Sequence, residues 1–137
     1  GGSAGGKSIS RFHADNQDNL VAMVRGSKRW ALFPPRQAHN LYTVGEIASV
    51  AASGVVHYVN DAYGKSSSHG THFSLVPDVF APTEEILERF PLLREALPDR
   101  LEAELQPGEL LFLPAGWFHQ VHSFGEHMSV NFWWTPA

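Results

Sequence analysis

The stretch Arg11-Phe12-His13-Ala14-Asp15 carries an imidazole and a carboxylate two residues apart. Successive side chains of a β-strand point to opposite faces, so a strand here would direct His13 and Asp15 to the same side. On the inner face of a barrel they would form two-thirds of a facial metal site. The candidate third ligand is His119, in the run Gly116-Trp117-Phe118-His119. This histidine is predicted to lie on a strand that has a turn on either side. Two histidines and one carboxylate leave three coordination positions open, as in non-haem Fe(II) oxygenases.

The His-x-Asp spacing does not by itself prove a metal site. The tripeptide occurs by chance in many proteins, and a surface histidine beside an aspartate in a loop is the competing interpretation. His122 follows His119 by three positions, so on a strand it would point to the opposite face. We interpret the remaining histidines as non-ligands, namely His39, His57, His69, His72, His122 and His127.

Short runs typical of β-strands occupy the two flanks of the chain. The run 28–33 alternates polar and apolar residues and ends at Pro34-Pro35, since proline has no N–H to donate to a ladder. Arg25-Gly26-Ser27 and Phe124-Gly125-Glu126 are predicted to be turns between successive strands. Beyond Arg100, further short runs alternate with Gly/Pro turns, which is typical of a sandwich or small barrel.

A different composition marks the middle of the chain, from about residue 36 to residue 100. Gly, Ser and Ala are frequent there, and Pro82-Thr83-Glu84-Glu85 predicts the start of a helix with Thr83 as its N-cap. The sequence therefore predicts a single mainly β domain covering residues 1–137. A partly helical insertion separates the two halves that carry the candidate metal ligands.

Composition and charge exclude several classes of protein. The 137 residues are 43% hydrophobic, which is enough to bury a core, and the absence of cysteine excludes disulfides and thiolate chemistry. The net charge is −4 and the ten basic residues are scattered, so nucleic-acid binding through charge is not expected. No apolar run approaches the roughly 20 residues of a membrane span. The first residues include no initiator Met and no signal-like apolar run, and we expect an intracellular domain, cytoplasmic or nuclear, cut from a longer chain.

An ordered set of runs flanks the insertion: His13-Ala14-Asp15 with Asn19-Leu20, 24–30 with Phe33-Pro34-Pro35, 105–121, and 129–134. Together these runs resemble the JmjC hydroxylases, a cupin-like family, and in particular the group of the asparaginyl hydroxylase of hypoxia-inducible factor. The resemblance implies a double-stranded β-helix, the jelly-roll fold of cupins. It also implies an enzyme, an Fe(II)- and 2-oxoglutarate-dependent dioxygenase that consumes O2.

The resemblance implies a role for the main candidate residues. His13, Asp15 and His119 would be the catalytic Fe(II) ligands. Lys28, fifteen residues after His13, would pair with the distal carboxylate of 2-oxoglutarate. A buried dicarboxylate needs a cation, and a lysine ammonium provides a compact one with three donors. From its local context alone, a surface lysine beside a turn is the competing interpretation of Lys28.

Further positions match the family pattern. Asn19 and Asn131 stand where the family reaches the cosubstrate or metal-bound waters. Ser10 stands where relatives often carry a threonine that bonds the same carboxylate, and a serine hydroxyl donates the same hydrogen bond. Trp133 is interpreted as a core aromatic rather than as a wall of the pocket.

The implied reaction is hydroxylation of a substrate C–H bond with release of succinate and CO2. The family context favours the protein hydroxylases over the histone demethylases, so a protein or peptide side chain is the expected substrate. A small molecule or a tRNA base stays open as an alternative substrate. The oligomeric state also stays open. Two alternatives belong to other classes: a metal-binding cupin that does not use 2-oxoglutarate, and a catalytically inactive binding domain. Lys28 separates the first alternative from the proposed enzyme, because only a 2-oxoglutarate enzyme requires it.

Overall fold

The computed structural model describes residues 7–59 and 71–136, and strands dominate that part of the chain. The strands are β1 (Lys7–Ile9), β2 (His13–Asp15), β3 (Asp18–Phe33), β4 (Ile47–Val50), β5 (Val56–Tyr58), β6 (Thr71–Phe73), β7 (Leu101–Leu105), β8 (Leu110–Leu113) and β9 (Phe118–Trp134). The helices are α1 (Glu84–Arg89) and α2 (Leu93–Ala96), with 3₁₀ turns at Pro35–Asn40 and Leu97–Asp99. The predicted mainly β fold with a partly helical insertion is confirmed. No helix in this part of the chain is long and apolar enough to cross a membrane.

Seven of these strands form one sheet within the described residues, in the order β6-β2-β9-β3-β7, with β1 also paired to β9 and β8 to β3. β3 and β9 run antiparallel from Asp18 opposite Trp134 to Phe33 opposite Phe118, so this long pair is the spine of the sheet. β4 and β5 form a separate two-stranded hairpin within the insertion. β2 joins the spine beside β9, which brings the two ligand-bearing segments together.

Two predicted turns, at Arg25-Gly26-Ser27 and Phe124-Gly125-Glu126, are instead interior to β3 and β9. The register shifts between Met23 and Arg25 and again between Arg25 and Ser27, which is the mark of β-bulges. The prediction was wrong because a glycine-containing triplet was taken as a chain reversal. The two triplets lie opposite each other across the spine, and they bend a ladder that continues on both sides.

The insertion packs against the sheet through apolar side chains. α1 begins at its predicted N-cap, because Thr83 Oγ1 accepts a hydrogen bond from Ile86 N at 3.2 Å. Leu93 of α2 then shares a buried core with Phe12 and Ala14. Because side chains alternate along a strand, the burial of Phe12 and Ala14 on one face directs His13, which lies between them, to the other face of the sheet.

Alternate residues near the C-terminal end of β9 also face opposite sides of the sheet. Asn131 and Trp133 line a cavity, whereas their neighbours on the outer side are exposed and apolar. The exposed apolar residues on the outer side of this end of β9, with two from the neighbouring β8, are Leu110, Phe112, Met128, Val130, Phe132 and Trp134. The opposite parity, that of Asn131 and Trp133, therefore marks the face of the sheet that holds the site.

Candidate metal centre

The three predicted ligands meet where β2 and β9 pair. His13 and His119 are Cα partners in this pairing, and their ring centroids lie 4.3 Å apart. Asp15 shares a face with His13, and one ligand atom from each of the three residues lies within 4.8 Å of the other two. Across residues 7–59 and 71–136, this is the group of three metal-ligating side chains that lies close enough to hold an ion.

Backbone carbonyls orient both imidazoles. His13 Nδ1 lies 2.8 Å from Arg11 O, and His119 Nδ1 lies 2.9 Å from Trp117 O. A carbonyl oxygen only accepts hydrogen bonds, so each Nδ1 is the donor and each Nε2 is the ring nitrogen left to bind a metal. His13 Nε2 lies 3.7 Å from Asp15 Oδ2, so the free ends of these two side chains converge.

Burial keeps His119 in the form that binds metal. Removal from water, together with the nearby His13, lowers the pKa of His119 from 6.5 to about 4. The ring is therefore neutral at pH 7, and neutral imidazole is the form that coordinates a metal ion.

Hydrogen bonds from two other segments position Asp15. Thr71 Oγ1, on the edge strand β6, donates to Asp15 Oδ1 at 2.7 Å, which leaves Oδ2 directed at the histidines. The backbone N–H of Gly116 donates to Asp15 O at 2.8 Å and ties the ligand strand to the turn before His119. The sequence analysis did not identify Thr71, because it lies 56 residues from Asp15 and no local pattern indicates a hydrogen bond between the two.

The hairpin of β4 and β5 is fastened to the same region. Asn16, fully buried after the second ligand, accepts from Val56 N at 2.9 Å and donates to Val56 O at 3.3 Å. At the tip of the hairpin, a Cβ added to Gly54 would lie 1.8 Å from Ala115 O, so the two backbones approach as closely as only glycine allows. These contacts join the insertion to the segment that leads into His119.

A cavity of about 300 Å³ opens beside the metal-ligating atoms. The predicted cosubstrate residues and two of the ligands all line it, namely Ser10, Asn19, Lys28, Asn131, His13 and His119. Asp15 lines a smaller space, which shares Asn19, His119 and Trp133 with this cavity. The structure thus brings every candidate site residue of the sequence to one region.

Lys28 reaches this cavity as a cation without an anionic partner in the described part of the chain. Its Nζ donates to Ser129 Oγ at 3.2 Å, and among the described residues it forms no ion pair with a carboxylate. Partial burial lowers the pKa of Lys28 below its usual value of 10.5. A half-buried ammonium that faces a cavity is suited to bind a carboxylate supplied by a ligand.

Two buried polar atoms near the ligands have no hydrogen-bond partner within the part of the chain that the structure describes. Asn19 is 1% exposed and its Oδ1 is unsatisfied, as is Nε1 of Trp30, whose ring centroid lies 5.7 Å from that of His119. Leaving such a group unpaired costs about 1–3 kcal/mol. The oxygen of Asn19 fits a donor such as a metal-bound water, so the residues present fit a hydrated divalent metal. Trp30 is a wall residue that the sequence did not single out.

The remaining predicted residues differ in how they meet the cavity. The hydroxyl of Ser10 accepts from Val121 N at 2.9 Å and donates to Arg11 O at 3.2 Å, so it is engaged with backbone. Asn131 is exposed at the cavity wall. Trp133 is 45% exposed and lines the same cavity, so its interpretation as a core aromatic was wrong. Its parity with Asn131 on β9 is the signal that indicates the cavity face.

The other histidines lie apart from the triad. His122 lies on the opposite face from the ligands, as strand parity predicts, and Phe80 covers its ring at 3.8 Å between centroids. His72 is buried on β6 with Nδ1 2.5 Å from the Tyr58 hydroxyl. His69 lies outside the described residues.

Comparisons with known proteins find similarity over nearly the whole chain. The family model described as "Cupin-like domain" matches residues 4–137. JmjC domain-containing protein F of Dictyostelium discoideum is 31% identical over 93% of this chain and 25% of its own length. Lysine-specific demethylase JMJ32 of Arabidopsis thaliana is 32% identical over 93% of this chain and 38% of its own length. Human tRNA wybutosine-synthesizing protein 5 is 34% identical over 89% of this chain and 29% of its own length. The chain therefore spans less than two-fifths of the length of these relatives.

Proposed function

The chain belongs to the cupin-like domain family, with JmjC proteins among its relatives, and we propose that it acts as an Fe(II)- and 2-oxoglutarate-dependent oxygenase. One observation carries the proposal. The three metal-ligating side chains cluster together, and two of them, His13 and His119, line a cavity. A half-buried lysine without a carboxylate partner among the described residues lines the same cavity. A metal site without such a cation would suit a simpler cupin, and a cation without the ligands would suit a binding protein.

His13, Asp15 and His119 would hold the metal through one face of its coordination sphere and leave three positions open. When bound, Fe(II) with 2-oxoglutarate and O2 supplies the oxidation of a substrate C–H bond, coupled to conversion of 2-oxoglutarate to succinate and CO2. Burial keeps the His119 imidazole neutral, and backbone carbonyls orient both imidazoles. Thr71 holds one carboxylate oxygen of Asp15 so that the other faces the metal.

Lys28 would bind the far carboxylate of 2-oxoglutarate through its ammonium group. Its hydrogen bond to Ser129 holds the side chain toward the cavity before the ligand arrives. Asn19 would accept a hydrogen bond from a metal-bound water, which satisfies its buried oxygen. The indole of Trp30 lies beside His119 and forms part of the wall of the cavity.

The finer proposal is hydroxylation of a C–H bond on a protein or peptide side chain. The net charge of −4 supports a protein over a nucleic acid, because polyphosphate binding relies on concentrated positive charge. A metal-dependent cupin that does not use 2-oxoglutarate, or an inactive binding domain, is the alternative. Lys28 distinguishes the first of these from the proposed enzyme, and metal binding distinguishes the second.

Anaerobic titration of the apo-protein with Fe(II) and 2-oxoglutarate tests the proposal by visible absorption. The chelate of 2-oxoglutarate on Fe(II) is expected to produce a weak charge-transfer band. His13→Ala should abolish the band because a metal ligand is lost. Lys28→Ala should raise the 2-oxoglutarate concentration needed for half-maximal absorbance while leaving metal binding intact.

Lys7→Ala is the matched control, because Lys7 is an exposed lysine on β1 that contacts Phe124 rather than the cavity. It should behave as wild type. Metal binding without a band would indicate the cupin that does not use 2-oxoglutarate. Failure to bind metal would indicate an inactive domain.

A further inference from the structure

We propose that Arg11 forms an anion subsite beside the metal centre and selects an acidic peptide, one that presents a carboxylate side chain next to an apolar one. The proposal rests on the proposed oxygenase function and names the class of substrate that the site would take. Arg11 precedes the ligand His13 by two residues and is exposed, whereas Phe12 between them is buried. The alternation places the guanidinium on the ligand side of the strand.

The guanidinium of Arg11 stacks on an aromatic ring that also contacts the metal ligand. Its Cζ lies 4.1 Å from the centroid of the Phe73 ring. Phe73 is the cross-strand partner of His13, and their ring centroids lie 5.8 Å apart. A guanidinium stacked on a ring keeps its N–H groups in its own plane, where they remain available to bond a carboxylate in a bidentate manner.

Among the residues that the structure describes, Arg11 differs from most other arginines in having no anion to neutralise it. Within the described residues, four arginines pair with carboxylates and a fifth donates to two backbone carbonyls, whereas Arg11 forms no ion pair. The five paired arginines are Arg25, Arg29, Arg36, Arg94 and Arg100. Arg89 is the closest counterpart, since it also lies over a phenylalanine ring, that of Phe90, but at the end of α1. An unneutralised cation beside a catalytic cavity is free to bind an incoming anion.

The space around Arg11 defines what else the ligand carries. A cavity of about 420 Å³ is lined by Arg11 together with Leu75, Val76 and Pro77, and it shares Ile9 and Ser10 with the cavity of the metal centre. Leu75 and Ile9 are 58% and 55% exposed, so an apolar group seated there would remove apolar surface from water. One cation between apolar walls fits a single carboxylate flanked by an aliphatic side chain better than a run of phosphates.

The test measures binding of two matched peptides near the metal. The protein is loaded with Mn(II), which replaces Fe(II) and broadens protons of any molecule held close to it, and with 2-oxoglutarate. The probes are the acetylated and amidated tripeptides Leu-Glu-Leu and Leu-Gln-Leu, which differ by charge and hardly in shape. We expect the acidic peptide to be broadened and to bind at least about threefold more tightly than the neutral one, the range of a partly exposed ion pair.

Variants assign this preference to Arg11. Arg11→Gln should abolish it, and Arg11→Lys should retain part of it because the charge remains while the planar fork is lost. Arg89→Gln should leave it unchanged. Equal binding of both peptides, no broadening of either peptide at millimolar concentration, or a preference that survives in Arg11→Gln would overturn the inference. If wild type lacks the anaerobic charge-transfer band, the oxygenase proposal fails instead, so the two failures are distinguishable.

Discussion

The close contact between Gly54, at the hairpin tip, and Ala115, in the turn before His119, predicts that one added methyl group at Gly54 destabilises the protein. Alanine at Gly54 would place a Cβ 1.8 Å from Ala115 O and 2.7 Å from Ala115 C, at a φ of +91°. An L-residue at such a φ costs about 1–2 kcal/mol. Displacing a backbone that cannot rotate away adds about 1–3 kcal/mol. Gly54→Ala should therefore lower the free energy of unfolding by about 2–5 kcal/mol.

Gly108→Ala is the matched control. Gly108 has a φ of +90°, nearly identical to that of Gly54, but nothing lies within 4 Å of an added Cβ. Only the backbone strain applies there, so the loss should be about 1–2 kcal/mol. At roughly 4 °C per kcal/mol for a chain of this size, the melting temperatures should fall by about 8–20 °C and about 4–8 °C respectively. Urea unfolding of the two apo-variants measures the difference directly.

The same pair of variants tests whether the hairpin supports the metal centre. Displacement of Ala115 would disturb Gly116, whose N–H bonds the Asp15 carbonyl, so Gly54→Ala should weaken Mn(II) binding by about tenfold or more. Gly108→Ala should bind Mn(II) as wild type does. Equal losses of stability in the two variants would refute the steric argument. A destabilised Gly54→Ala protein with unchanged metal affinity would refute the link to the ligands.

Three further predictions concern the site and its surroundings. Thr71→Val removes the hydrogen bond to Asp15 Oδ1 and should lower metal affinity by about tenfold at unchanged fold, as isothermal titration would show; unchanged affinity would mean that Asp15 holds its orientation unaided. Burial lowers the pKa of His72 from 6.5 to about 4, so the unfolded chain takes up the proton first and stability should fall as pH drops from 6.5 toward 4. His72→Gln should flatten this part of the stability profile in chemical denaturation, and an unaltered slope would assign it to other groups. Lys28→Arg should restore part of the 2-oxoglutarate affinity lost in Lys28→Ala, whereas Lys28→Met should not; recovery with Met would point to packing rather than charge.

Local sequence patterns identified the part of the site that depends on neighbouring residues. His13 and Asp15 share a face because alternation along a strand is a property of the backbone itself. The Thr83 N-cap was likewise predictable, since its hydrogen bond reaches only three residues along the chain. Local patterns misled at Arg25-Gly26-Ser27, where glycine suggested a turn. A bulge and a turn use the same residue types, and only the partner strand decides between them.

The contacts that support the ligands had no signal in the sequence. Asn16 bonds the backbone of Val56, forty residues away, and any residue with an N–H and a C=O would serve as its partner. Backbone groups are the same in nearly every residue, so a sequence does not mark which of them will meet. The close approach of Gly54 to Ala115 is invisible for the same reason.

The sequence by itself determined the residue types of the candidate metal site, their strand parity, the mainly β fold and the family, because these follow from local spacing and from ordered motifs. Only the tertiary structure decided that Thr71 holds Asp15, that Trp133 faces the cavity and that Arg11 stacks on Phe73 without an ion-pair partner among the described residues. Those facts depend on which strands pair and in what register. Register is set by burial summed over the whole sheet, and no single segment of the chain contains it.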